Sequence, residues 1–152
     1  MVSIKVDIYE PQQIEALIQQ SVPDTQRISL NQNNFADYLW YTKDGKPEQW
    51  ECKQVTEILS GMEKVEYQLG KEIDDWPDML NLILGIEGIV QPTPFGVQTF
   101  TLADNGLFFR KGKSYKIPYA RYEGWIVAQE RAGVLVWQTS SWLTTAMAIV
   151  KF

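Results

Sequence analysis

The chain has 152 residues, 45% of them hydrophobic and 22% charged, with a formal net charge of −5 at pH 7, ordinary values for one folded domain with a real core. It contains no histidine and a single cysteine, Cys52, which excludes His-based general bases, Ser-His and Cys-His nucleophilic pairs, His-ligated metals, intrachain disulfides and Cys-rich zinc sites. No stretch approaches the roughly 20 apolar residues of a membrane span and the N-terminus lacks a signal-peptide pattern, so an intracellular protein is expected.

In chain order, Met1–Ile8 reads as a short strand, with Ile4, Val6 and Ile8 alternating against Ser3, Lys5 and Asp7. Pro11 suits the first turn of a helix carrying Ile14, Leu17 and Ile18 at helical spacing. Arg27–Leu30 is a second strand. After the Asn-rich turn at 31–34, Phe35–Tyr41 and Gln49–Lys53 form the arms of a hairpin around Asp44-Gly45 and Pro47. Val55, Ile58, Leu59 and Met62 lead into a long helix with Val65, Leu69 and Ile73, stopped by Asp74-Asp75-Trp76-Pro77. Met79–Val90 is almost continuously apolar, as expected of a strand buried on both faces. Gln91–Ile117, punctuated by prolines and glycines, reads as a hairpin insertion. Pro118–Arg131 is helical, Val134–Gln138 is another buried strand, and Ser140 or Ser141 caps a last helix through Ile149. Alternating strands and helices predict an α/β fold, a central mixed sheet flanked by helices, in one domain over residues 1–152. The final helix runs to Phe152 without a polar tail, a pattern consistent with a domain cut from a longer chain.

The net charge hides an asymmetry. Residues 1–103 hold 7 Lys/Arg against 16 Asp/Glu, whereas residues 104–152 hold 7 against 3. Arg110, Lys111, Lys113, Lys116, Arg121 and Arg131 make the second segment basic, able either to meet phosphates or to stand as a solvated face. On the acidic side, Asp37 and Glu51 lie on opposite arms of the predicted hairpin, and Glu51 and Lys53, two apart on a strand, share a face. Two such carboxylates make a hard oxygen site for Mg²⁺ or Mn²⁺, and a lysine beside them orients a water or steadies a phosphate. That set serves metal-assisted phosphodiester hydrolysis without a histidine. The same acid-x-Lys pattern also occurs in solvated ion pairs on exposed strands.

The runs Ile4-Lys5-Val6-Asp7-Ile8-Tyr9-Glu10, Ala36-Asp37-Tyr38 and Trp50-Glu51-Cys52-Lys53 resemble the nuclease domain of the XPF family of structure-specific endonucleases, with its "VDxRE", "GDY" and "ERK" strands. Ser60–Leu69 is similar to that family's helix with a basic residue and a Gln-Leu pair, placing Lys64 and Gln68 there. Leu82–Gly88 resembles its buried strand ending in Glu-Gly, and Tyr122–Val150 its closing helix–strand–helix. Gln91–Lys116 is the main unmatched segment. Tyr9, Ala36 and Cys52 depart from the pattern, and Glu57 stands where an aspartate is expected.

The resemblance implies a restriction-endonuclease-like fold and a metal-dependent DNA endonuclease acting on branched or flap DNA in repair or recombination, cytoplasmic or nucleoid-associated. It implies Asp37 and Glu51 as ligands of Mg²⁺ or Mn²⁺, with the Cys52 backbone carbonyl as a third and Lys53 orienting water or phosphate. Asp7, Glu10 and Glu57 would support the metal or its water shell, although an acid at a strand end or helix start also has a purely structural use. Arg110, Lys111, Lys113 and Lys64 are the expected DNA contacts. Cys52 reads as a small packed residue or a redox-sensitive thiol. Trp76, Trp125, Trp137 and Trp142 are available for base stacking, with Trp125 and Trp137 better suited to a core or dimer surface. The family also implies a homodimer through the last two helices. The alternative is a catalytically inactive nuclease-like DNA-binding or scaffold protein.

Overall fold

The computed structural model describes residues 1–152. Strand β1 (Ser3–Asp7) runs into helix α1 (Gln12–Ser21), preceded by Pro11 as predicted, and returns as β2 (Asp24–Ile28) parallel to β1. Strands β3 (Tyr38–Tyr41) and β4 (Pro47–Gln54) form the expected antiparallel hairpin, with Tyr38 opposite Trp50. Strands β5 (Asn81–Glu87) and β9 (Val134–Thr139) extend the sheet in parallel, giving the order β2-β1-β3-β4-β5-β9. The central mixed sheet and its flanking helices are those read from the sequence.

Period-two alternation divides the core between the faces of the sheet. Leu82, Leu84 and Ile86 of β5 join Val55, Ile58, Leu59, Val65 and Leu69 in one apolar cluster. Ile83 joins Trp50, Tyr38, Ile4, Val6, Ile14, Ile18, Ala146 and Ile149 in the other, beneath α1 and α5 (Trp142–Ile149). Ser141 caps α5. Trp50 fits in its layer because the neighbouring strand offers a glycine: a Cβ on Gly85 would overlap the indole. Gly85→Ala is therefore expected to cost about 1–3 kcal/mol, read as a lower denaturant midpoint with an unchanged slope.

Five elements differ from the sequence reading, the first being β2, which runs over Asp24–Ile28 rather than Arg27–Leu30 and leaves Leu30 in the loop after it. The long helix is two, α2 (Val55–Ser60) and α3 (Met62–Asp75), broken at Gly61, which caps the end of one and the start of the other. The apolar run Met79–Val90 is not one strand. It leaves the sheet at Gly88, whose φ of +115° turns the chain and whose missing Cβ makes room for Val55.

The insertion is not a hairpin but a three-stranded antiparallel sheet, β6 (Ile89–Thr93), β7 (Gly96–Leu102) and β8 (Phe109–Tyr115). Pro92 is tolerated because β6 is its edge, and Pro94 stands in the turn between β6 and β7; Val90 and Val97 anchor the sheet in the cluster with Leu84 and Val55. Strand β9 is not buried on both faces. It is the edge of the large sheet, and beyond Val134 and Val136, which turn toward α4 (Tyr119–Arg131), Leu135 and Trp137 remain 44% and 50% exposed. No helix is long and apolar enough to cross a membrane.

Candidate active site

The acids gather where β1, β3 and β4 reach the same end of the sheet. Asp37 sits one residue before β3, its carbonyl accepting from the Asp7 N–H at 2.9 Å. Continuing the Tyr38–Trp50 register by one step sets Asp37 opposite Glu51, so both arise on one side of the hairpin. Lys53, two residues along β4, shares that side and places its Nζ 3.3 Å from Glu51 Oε1 and 3.9 Å from Glu57 Oε2. The fold thus brings Asp37, Glu51 and Lys53 together.

Each side chain is held. Asp37 accepts from the Cys52 N–H at 2.8 Å and from Asn31 Nδ2 at 3.2 Å. Glu51, 1% exposed, accepts from Gln68 Nε2 at 2.7 Å through Oε1, while its Oε2 is buried without a partner. Glu10 is positioned through its backbone: Arg27 Nη1 donates to the carbonyls of Asp7, Ile8 and Glu10 at 3.2, 2.8 and 2.9 Å. Its carboxylate then accepts from the Tyr38 hydroxyl at 3.3 Å and faces Asp37.

Two of the expected residues, Asp7 and Glu57, stand apart from this centre, as does the side chain of Cys52, whose backbone N–H nevertheless holds Asp37. Asp7, 1% exposed, spends both carboxylate oxygens on backbone amides, those of Leu30, Asn31 and Tyr9, at 2.8, 2.9 and 3.1 Å. It fixes the loop that carries Asn31 toward Asp37. Glu57 closes a capping box at the start of α2, accepting from the Gln54 N–H at 3.2 Å, and reaches the centre only through Lys53. Cys52 packs toward the α1–α5 side of the sheet, and burial pushes its thiol well above the ordinary range, away from the reactive thiolate.

One acid that the sequence did not single out completes the cluster, and a second lies on the opposite face of the sheet. Glu72 of α3, 5% exposed, shares the Gln68 amide with Glu51 and leaves its own Oε2 unpartnered. The signal in the sequence was an acid on an apolar stripe, since Glu72 follows Val65 by seven residues and Leu69 by three. Glu87, at the end of β5, lines a cleft with Glu10, Cys52, Glu57 and Trp142.

The electrostatics follow from burying several carboxyls beside one ammonium. Burial, then the charge of Asp37, pushes Glu10 up to about 9. Burial also raises Asp37, tempered by the Cys52 N–H. Burial, then the charges of Asp37 and Glu72, pushes Glu51 well above the carboxylate range, and burial raises Glu72 to about 7. For Lys53 burial acts to lower the pKa, but Glu51, Asp37 and Glu57 outweigh it and keep the ammonium charged. No three His, Cys, Asp or Glu side chains converge in a geometry that would ligate one ion. The Asp37–Glu51 pair could nevertheless hold a hard cation, which would meet the unpartnered Glu51 oxygen and take the place of protons that burial favours on these carboxyls.

The expected DNA contacts occupy two places. Lys64 lines a cleft with Lys53, Glu57 and Gln68 on the side of α3 that faces the acids. Arg110, Lys111 and Lys113 are exposed along β8, whose far end meets α2 where the Ser60 and Tyr115 hydroxyls lie 3.5 Å apart. Among the tryptophans, Trp76 stacks on Phe35 at a centroid distance of 3.9 Å. Trp125 packs partly into the core, Trp137 makes an edge contact with Phe152, and Trp142 donates to Asp104.

No protein-family model matches the sequence, and no curated protein matches it significantly. Solved structures do. XPF from Aeropyrum pernix superposes with a TM-score of 0.56 at 13% identity, covering 98% of this chain and 62% of that one. The same protein in complex with DNA gives 0.55 at 12% identity, over 99% and 62%. The chain thus spans somewhat under two thirds of the length of these proteins. These superpositions give the chain the fold of that part of the XPF protein.

Proposed function

We propose that the protein is a divalent-metal-dependent DNA endonuclease that hydrolyses phosphodiester bonds, acting on branched or flap DNA in repair or recombination. The observation that carries this reading is the buried Glu51, with one oxygen unpartnered, set beside Asp37 and Lys53. Asp37, Glu51 and the Cys52 backbone carbonyl would hold Mg²⁺ or Mn²⁺, which supplies Lewis-acid activation of water and neutralises charge at the phosphate. Lys53, kept protonated by its acidic neighbours, donates to the scissile phosphate or the attacking water rather than serving as the base. Gln68 holds Glu51 in place, and Asn31 and the Cys52 N–H hold Asp37. Incubating labelled duplex, flap and junction DNA with Mg²⁺, Mn²⁺ or EDTA tests the reading; cleavage in EDTA, or none with either metal, rejects it.

Because no three acidic side chains converge in ligand geometry, a second reading is retained: a nuclease-like domain that docks DNA without cutting it. Binding without cleavage in the same assay selects it.

Under either reading the β8 cations supply phosphate contacts. Replacing Arg110, Lys111 and Lys113 by Ala should weaken binding to all sequences alike and lower the salt slope by about 0.9 for each phosphate no longer neutralised.

A two-fold homodimer is proposed on the side of the last two helices, where Val127, Leu135, Trp137 and Met147 are all exposed by 44–56%. Half-exposed apolar groups on neighbouring elements favour a partner over water, and a stable pair would bury at least about 1,000 Å² in total. Sedimentation at micromolar concentration checks this: Trp137→Glu should convert a dimer to a monomer, and a wild-type monomer overturns the proposal.

A further inference from the structure

The turn between β7 and β8 ends in two exposed apolar residues, Leu107 and Phe108, and Phe109 opens β8 directly after them; the three are 83%, 52% and 50% exposed. Such a run at a loop tip costs hydration free energy and calls for an occupant. The turn is well ordered by its own bonds. Ala103 N–H donates to Phe108 O at 2.9 Å, Gly106 N–H to Ala103 O at 2.8 Å, and Leu107 N–H to Asn105 Oδ1 at 3.0 Å, with Gly106 at a φ of +72°.

The tip is also docked next to a cleft that Glu10, which faces Asp37, lines from the other side. Leu102 N–H donates to Ser140 O at 2.9 Å, and Trp142 Nε1 donates to Asp104 Oδ1 at 3.2 Å. The same Trp142 lines the cleft that holds Glu10, Cys52, Glu57 and Glu87. Immediately after the aromatic pair come the exposed Arg110, Lys111 and Lys113. An apolar tip on a cationic stem matches DNA at two levels: the stem meets phosphates, and the rings meet the flat face of a base pair where stacking is interrupted.

We propose that Leu107, Phe108 and Phe109 form a wedge that stacks on the base pair closing a duplex arm at a branch or end, so that the tip selects such DNA over continuous duplex. This rests on the nuclease reading above and adds the device by which the site would recognise a branch. Continuous duplex buries its base-pair faces and offers the wedge nothing, whereas a fork offers one face beside the scissile strand.

The test uses the whole protein in EDTA, a fork carrying 2-aminopurine at the branch-point pair, and a continuous duplex of the same length. Wild type should bind the fork about ten-fold more tightly than the duplex, the worth of one stacked base, and change the 2-aminopurine emission. The variant Leu107→Ser/Phe108→Ser/Phe109→Thr should lose the preference and the emission change while keeping its duplex affinity. Phe108→Ala is the second probe if the triple variant does not fold, and should lose about half of the preference on a logarithmic scale. Equal preference in variant and wild type, or no preference in wild type, overturns the wedge and leaves the nuclease reading standing. No binding to either DNA overturns both. Tip-dependent binding to anionic phospholipid vesicles, with no fork preference, overturns the wedge and makes the tip a membrane contact.

Discussion

Glu51→Gln is expected to reduce cleavage by a factor of at least about 10³, equivalent to about 4 kcal/mol of lost transition-state stabilisation, without loosening the fold. Glutamine keeps the shape of the side chain and retains a carbonyl oxygen to accept from Gln68, which now donates to Glu51 Oε1 at 2.7 Å. What disappears is the capacity to carry a charge at 1% exposure among Asp37 and Glu72, a charge that burial disfavours in the free protein and that a bound cation would stabilise. The substitution should therefore leave the melting temperature of the metal-free protein unchanged or higher. It should also abolish any stabilisation conferred by Mn²⁺, a readout separate from activity. Full cleavage by the variant would remove Glu51 from the mechanism, whereas loss of cleavage with a fallen melting temperature would make its role structural.

Raising the pH through neutrality should destabilise the metal-free protein, the reverse of the usual response of ion-paired carboxylates. Glu72 titrates at about 7 in the fold against an ordinary value of 4.5. Below 4.5 it is protonated in both folded and unfolded chains and its contribution is complete. As pH rises through 7 the folded state must give up a proton that it holds more tightly than the unfolded chain, and the contribution is lost. A shift of that size corresponds to about 3 kcal/mol at most. Glu10, raised from 4.5 to about 9, extends the loss further into the alkaline range. Glu72→Gln should flatten the profile between about pH 4.5 and 8 and stabilise the protein above about pH 7, as read by thermal denaturation across pH with EDTA present. A wild-type profile that is level through that window would show that water reaches the cluster and relieves the burial.

Much of the architecture was legible in the chain because it depends on local periodicity. The alternation in β1, the continuous apolar run in β5, Pro11 before α1 and Ser141 before α5 each state their element within a few residues. That Asp37 and Glu51 stand on the two arms of one hairpin, and that Glu51 and Lys53 share a side, also followed from short-range geometry, whereas the register that sets Asp37 opposite Glu51 came from the fold.

Other features depended on packing between distant segments, which no local pattern encodes. Gly61 and Gly88 break elements that apolar periodicity alone runs together, because a stripe records which side is buried and not where the axis turns. Val134–Thr139 has the composition of a buried strand, yet its place at the edge of the sheet leaves Leu135 and Trp137 open. Asp7 could be read as a site residue until the fold brought the amides of Leu30 and Asn31 onto its carboxylate. Glu72 looked like one more helix acid until α3 laid it beside Glu51. The sequence by itself determined which residues could carry the chemistry and which strands would present them. Only tertiary structure decided which carboxylates lost their water and which found backbone partners, because desolvation is a property of everything packed around a group and not of its neighbours in the chain.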